Sequence, residues 1–98
     1  MKYAIIFSPE AVDDLGRLKA FMRVEVKESI EIHLRHEPTK VSKSRIKRLK
    51  GLSQPRFRLR VRDDVRVFYD VTEVSVEILA IVSKSEATDW LSERGIEQ

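Results

Sequence analysis

Cysteine is absent from the 98 residues, which excludes a disulfide framework and thiolate metal sites and suits a reducing compartment. Only three glycines are present, and none belongs to a phosphate-cradling loop. The serines and threonines form no nucleophile motif. His33 and His36 have no partners at metal-ligand spacing, so no metal and no cofactor is expected. No apolar run approaches the roughly 18 residues that a membrane span needs. The apolar start, Tyr3 to Phe7, stops at Ser8-Pro9 and is too short for a signal peptide. These absences point to a soluble, cytoplasmic protein without membrane contact, and the length fits one domain over residues 1–98.

What the chain does have is cationic charge, unevenly spread. The formal net charge is +3, but residues 1–37 carry −1, residues 38–68 carry +9 and residues 69–98 carry −5. A solvated face usually mixes signs, so a segment this one-sided predicts an anion-binding surface. Arg45, Lys47, Arg48, Lys50 and Arg62 in that segment are candidate contacts to a nucleic-acid backbone.

The hydrophobic period divides the chain. Lys2 to Phe7 reads as a strand, and Ser8-Pro9-Glu10 as a helix start with Ser8 as N-cap and proline at the first helical position. Ala11, Leu15, Leu18 and Met22 mark one helical face, with Asp13 and Asp14 elsewhere on the wheel. Met22, Val26, Ile30 and Leu34 mark a second, ended by Glu37-Pro38. Two antiparallel helices suit a small sheet better than one long helix. Gly16 costs about 1 kcal/mol relative to alanine in a helix interior, and marks either close packing or nothing. Thr39 to Lys50 reads as a polar, cationic connection closed by Gly51.

Beyond Gly51 the period becomes two. Phe57, Leu59 and Val61 alternate with Arg58, Arg60 and Arg62, and Val65, Val67, Tyr69 and Val71 follow. A third run, Val74 to Val82, is apolar on both faces at its end, as a central strand requires. Directly opposed residues share a face. A two-residue turn at Asp63-Asp64 would oppose Val61 to Arg66. A three-residue turn, Asp63 to Val65, pairs Val61 with Val67 and Leu59 with Tyr69, and sets Arg58, Arg60, Arg62, Arg66 and Phe68 on one exposed face with Asp70 opposite Arg58. That register is the expected one. A short helix follows with Ser85 as N-cap and Gly95 as its end; Trp90 is expected to pack beneath it.

The opening Ile6-Phe7-Ser8-Pro9-Glu10-Ala11, then Leu49-Lys50-Gly51-Leu52, Phe57-Arg58-Leu59-Arg60-Val61 and Arg66-Val67-Phe68-Tyr69, resemble in order and spacing the RelE/ParE toxin superfamily of type II toxin–antitoxin modules, over nearly the whole chain. The resemblance implies an α+β fold of order β-α-α-β-β-β with a short C-terminal helix, its two N-terminal helices packed on a mostly antiparallel twisted sheet. It implies a toxin that inhibits translation by ribosome-dependent cleavage of messenger RNA, through metal-independent attack of the 2′-hydroxyl. The implied partners are the ribosome, messenger RNA and a cognate antitoxin whose acidic segment wraps the domain. Arg58, Arg60 and Arg66 match positions where such toxins place catalytic basic residues. Serine stands where the family's arginine follows the last strand; Lys84, one residue on, can substitute. Trp90 or Leu91 replaces a terminal tyrosine, and arginine does not accept protons. The electrostatic part of a nuclease site is kept and its proton-transfer part is blurred. The alternatives are a ParE-like inhibitor of DNA gyrase that cleaves nothing, and a catalytically degenerate toxin or nucleic-acid-binding domain.

Overall fold

The computed structural model describes residues 1–51 and 54–93. Its elements run β1 (Ala4–Phe7), α1 (Pro9–Arg17), α2 (Ala20–Leu34), β2 (Ile46–Arg48), β3 (Phe57–Val61), β4 (Val65–Val71), β5 (Ser75–Ser83) and α3 (Lys84–Glu93). They build an α+β fold on a five-stranded sheet of order β1-β5-β4-β3-β2, antiparallel except for the β1–β5 pair. β2 lies inside the stretch expected as a plain connection. Three residues are too few for a readable period, and its Ile46 is the sole apolar member, buried opposite Leu59.

The first helix begins as its sequence dictates. The Ser8 hydroxyl accepts from the Ala11 N–H at 3.0 Å and donates to the Leu79 carbonyl at 3.0 Å, so one side chain caps α1 and ties it to β5. α1 ends without a proline. Leu18 and Lys19 turn extended, and the Arg23 guanidinium donates to the Leu18 carbonyl at 2.9 Å, satisfying a helix-end acceptor. α2 stops at Leu34, three residues before the expected Glu37 boundary. Gly16 has open space where a Cβ would stand, so close packing is not its reason.

Both N-terminal helices cover one sheet face. Ala11, Met22, Val26, Ile30 and Leu34 meet Ile46, Leu59, Val61, Val67, Tyr69, Val76 and Ile78 in one core. Asp14, off the apolar stripe of α1, is nonetheless buried. Past Phe7, β1 no longer covers β5, and the Asp14 carboxylate accepts the Ile81 N–H at 2.9 Å while also receiving Arg17. A buried strand N–H needs an acceptor, and the helix supplies it. A bulge between Phe68 and Tyr69 lets Leu79 stand unpaired in β5. Val76, Ile78 and Ile81 therefore face the helices, whereas Ala80 and Val82 face the other way, opposite Phe68 and Arg66. Val74 lies outside the strand and is exposed.

α3 crosses the second face, where Leu91 packs on Phe68 with Leu49, Val82, Ala87 and Trp90 around them. Its N-cap is Ser83 rather than Ser85, two residues early: the Ser83 hydroxyl accepts from Glu86 N–H at 3.2 Å and donates to the Glu86 carboxylate at 2.8 Å. Gly95, the expected helix end, and Leu52 lie outside the described residues.

Candidate nucleic-acid interface

The β3–β4 hairpin sets the site. The register is Val61 with Val65, Arg60 with Arg66, Leu59 with Val67, Arg58 with Phe68 and Phe57 with Tyr69. The turn is three residues long, as expected, but comprises Arg62, Asp63 and Asp64. Each pairing is thus two residues from the expected one. A slip of two preserves the side of every residue, so the aliphatic set still faces the helices and Arg58, Arg60, Arg66 and Phe68 share the opposite face. Two consequences were not foreseen. Asp70 no longer faces Arg58 but accepts the Arg56 backbone N–H at 2.6 Å. Arg62 leaves the group: its φ of 53° is left-handed, which breaks the strand's alternation, and its guanidinium pairs with Glu25 of α2 at 3.3 Å.

The remaining cations converge at the turn. Arg60 donates to the Arg62 carbonyl at 3.0 Å and to the Asp63 carboxylate at 3.3 Å. Arg66, only 7% exposed, donates to the Asp63 carbonyl at 3.2 Å and the Val65 carbonyl at 3.1 Å. Lys84 follows directly from β5, its N–H bonded to the Asp64 carbonyl at 2.7 Å, and its ammonium lies 3.6 Å from the Asp63 carboxylate. Arg58 is the least satisfied member. Its Nε is buried without a hydrogen-bond partner among the described residues. Its pKa is pushed below the ordinary guanidinium value by partial burial, and further by Arg66 and Arg60 nearby. Arginine keeps its charge even so, and a partly desolvated cation whose Nε has no partner among the described residues favours an incoming anion.

Of the other candidates, Lys47 is exposed directly opposite Arg58 on edge strand β2 and so extends the cationic face. Arg48 does not: it lies over the Phe57 ring, 5.8 Å from its centre, on the helix-covered side. Arg45 and Lys50 are exposed at the two ends of β2. Trp90 stacks on Phe68 at 4.7 Å, which leaves it little freedom as a platform for a base. Tyr69 is buried in the core, its hydroxyl donating to the Pro38 carbonyl at 2.6 Å, and burial pushes its pKa up, so it is no proton donor for the cationic face. Asp63 is the residue that sequence reasoning missed. Its spacing from Arg60 was visible, but only the turn geometry brings Lys84 to the same carboxylate.

A hollow of about 920 Å³ between the α1–α2 junction and α3 carries the opposite charge, lined by Glu10, Asp14, Asp64, Glu86, Asp89 and Glu93 against Arg17 and Lys19. Polyanion binding is disfavoured there. No described helix is long and apolar enough to cross a membrane.

Comparison with known proteins gives the family. Residues 5–88 match the family described as the ParE toxin of the type II toxin–antitoxin system parDE. A comparison with curated proteins gave no match. Among solved structures, the chain is similar to one from the toxin–antitoxin complex RelBE2 of Mycobacterium tuberculosis, at 25% identity and TM-score 0.70, covering 86% of this chain and 100% of that one. It is also similar to one from the archaeal RelE–RelB complex of Pyrococcus horikoshii, at 25% identity and TM-score 0.69, covering 86% and 97%. The fold alone is shared with a chain of the DinJ–YafQ toxin–antitoxin complex of Escherichia coli, at 14% identity and TM-score 0.60, covering 90% and 97%. With its helix-backed sheet and basic face, this chain belongs to the ParE toxin family within the RelE/ParE superfamily and is a toxin of the type II toxin–antitoxin kind.

Proposed function

We propose that this toxin inhibits translation by cleaving messenger RNA on the ribosome, with Arg58, Arg60, Arg66 and Lys84 around the scissile phosphate. The observation that carries the reading is the convergence of these four cations on one sheet face, with Arg58 Nε unsatisfied among the described residues. In the reaction the 2′-oxygen bonds to the adjacent phosphorus and the P–O5′ bond breaks, leaving a 2′,3′-cyclic phosphate and a 5′-hydroxyl. The guanidiniums match phosphate oxygens and stabilise the charge of the phosphorane. The Lys84 ammonium is the group on this face able to protonate the departing 5′-oxygen. The arginines cannot take the proton from the 2′-hydroxyl, so the ribosome or water receives it. Losing a positioned base lowers rate by about 10²–10⁴-fold, and a slow nuclease is expected. Arg45, Lys47 and Lys50 hold the flanking backbone. A cognate antitoxin is the further partner, supported by the toxin–antitoxin complexes that contain the similar chains; an acidic segment would suit the cationic face.

The family match favours a second reading, a ParE-like inhibitor of DNA gyrase that cleaves nothing. Inducible expression with mapping of RNA 5′ ends on translated messages separates the two. Cuts within codons, lost in Arg58→Ala and Arg66→Ala but kept in Arg62→Ala, establish the nuclease. Intact messages with inhibited supercoiling establish the gyrase reading instead.

A further inference from the structure

The Asp63 carboxylate is the one acid that the ion pairs of the described residues place within the cationic cluster. A single oxygen, Oδ1, receives Arg60 at 3.3 Å and Lys84 at 3.6 Å, while the backbone carbonyl of the same residue holds Arg66. An oxyanion bracketed by a guanidinium and an ammonium is the geometry in which a phosphodiester oxygen is bound. The carboxylate is itself 68% exposed, and exposed pairs of this length are weak. A stronger anion can therefore replace it without disturbing the fold. Beside it opens a hollow of about 330 Å³ lined by Ser44, Arg45, Arg60, Arg62 and Asp63, in which arginines outnumber the acid three to one.

We propose that Arg60 and Lys84 form a phosphate subsite that the Asp63 carboxylate occupies as an internal stand-in until a nucleic-acid phosphate displaces it. Asp63 is then a positioning residue. It keeps two partly exposed cations converged on one point in the free protein, and it lowers affinity for stray polyanions by competing with them for those cations. When a phosphate enters, the carboxylate swings into solvent and like-charge repulsion drives it away. The stand-in is attached through a short side chain next to the turn, so it remains at hand when the ligand leaves. Asp64, the neighbouring acid, instead lines the acidic hollow near α3, which places the competing charge on Asp63 alone of the pair.

This inference rests on the RNA reading above, and its test separates the two. Binding of oligouridylate to the purified protein is measured by fluorescence anisotropy at about 50 mM salt, for the wild type, Asp63→Asn, Lys84→Gln and the double variant. Asp63→Asn is expected to tighten binding about three- to tenfold and to steepen the salt dependence by about 0.7 in log–log slope, one added phosphate contact. In the Lys84→Gln background the gain falls below about twofold, because the subsite has lost one wall. Asp63→Glu, which keeps the charge, gives no gain. An equal gain in both backgrounds overturns the subsite, since a general change in net charge would then suffice; no gain, or a loss, overturns it as well. Thermal melts verify folding, and Asp63→Ser carries the same test should Asp63→Asn fail to fold. Inorganic pyrophosphate is titrated in parallel. If no variant binds RNA yet Asp63→Asn tightens pyrophosphate, the RNA reading falls and the subsite stands. RNA binding without the Asp63 effect leaves the RNA reading standing and removes the subsite.

Discussion

The two faces of the sheet solve different problems with the same strands. On the face beneath α1 and α2, polar groups that become buried are matched within the chain: Asp14 takes the Ile81 N–H, and the Tyr69 hydroxyl finds the Pro38 carbonyl. On the face that α3 only partly covers, Arg58, Arg60 and Arg66 crowd together, Arg58 Nε lacks a partner among the described residues, and the anion that stands among them is exposed. One face matches its buried polar groups; the other keeps like charges together and a buried donor unmatched among the described residues. Residues therefore divide into those whose loss weakens the fold and those whose loss relieves it.

The largest expected effect tests the completed face. Asp14→Ala strands the Ile81 N–H in a buried position and should destabilise by about 2–3 kcal/mol, read from denaturant midpoints at constant slope. A change within about 0.5 kcal/mol would show that water can replace the carboxylate. The open face should answer in the reverse direction. Arg58→Met removes a half-buried unpaired nitrogen and one of three neighbouring like charges while keeping the unbranched stem over the sheet. Stability should rise by about 1 kcal/mol while single-stranded RNA binding weakens. A drop in both would mean that Arg58 is a packing residue and would erase the contrast between the faces.

The parts of this division that could be read from sequence are those that depend on parity. The period-two alternation of Phe57 to Val61 and Val65 to Tyr69 fixes which side each residue takes in any register an even number of residues away, so the separation of aliphatic and cationic side chains survived a slip of two. What could not be read depends on single backbone torsions and on contacts distant in sequence. The left-handed φ at Arg62 moves that guanidinium to Glu25 and out of the cationic group. The bulge at Leu79 reassigns Ala80 and Val82 to the arginine face. Asp14 looks like one more solvent-facing acid until the short β1 exposes the β5 N–H that it meets. Ser83 and Ser85 both precede Glu86, and only the chain's path off β5 decides which one caps. Strand β2 escaped notice because an edge strand of three residues leaves no pattern to see.

Two smaller effects sharpen the picture on α1 and α2. Gly16 lies two residues from Asp14 but has no neighbour where a Cβ would stand. Gly16→Ala should therefore stabilise by about 0.5–1 kcal/mol, by limiting the unfolded chain and without touching the core. A destabilised variant would indicate a contact on that side of α1. The smallest effect concerns pH and His33 on α2, whose pKa lies below its ordinary value of 6.5, chiefly through desolvation and secondarily through the Arg45 charge. The folded state then binds a proton less readily than the unfolded state. Stability is fully present above about pH 6.5, and a penalty develops as pH falls below that value towards the lower pKa of the folded form. Exposed carboxylates such as Glu31, whose own pKa is depressed by Arg35, add their loss only at more acidic pH. His33→Gln should thus flatten the decline in melting temperature between pH 7 and pH 5 and leave the steeper loss below it unchanged. An identical slope in both proteins would show that the imidazole reaches water as freely when folded as when unfolded.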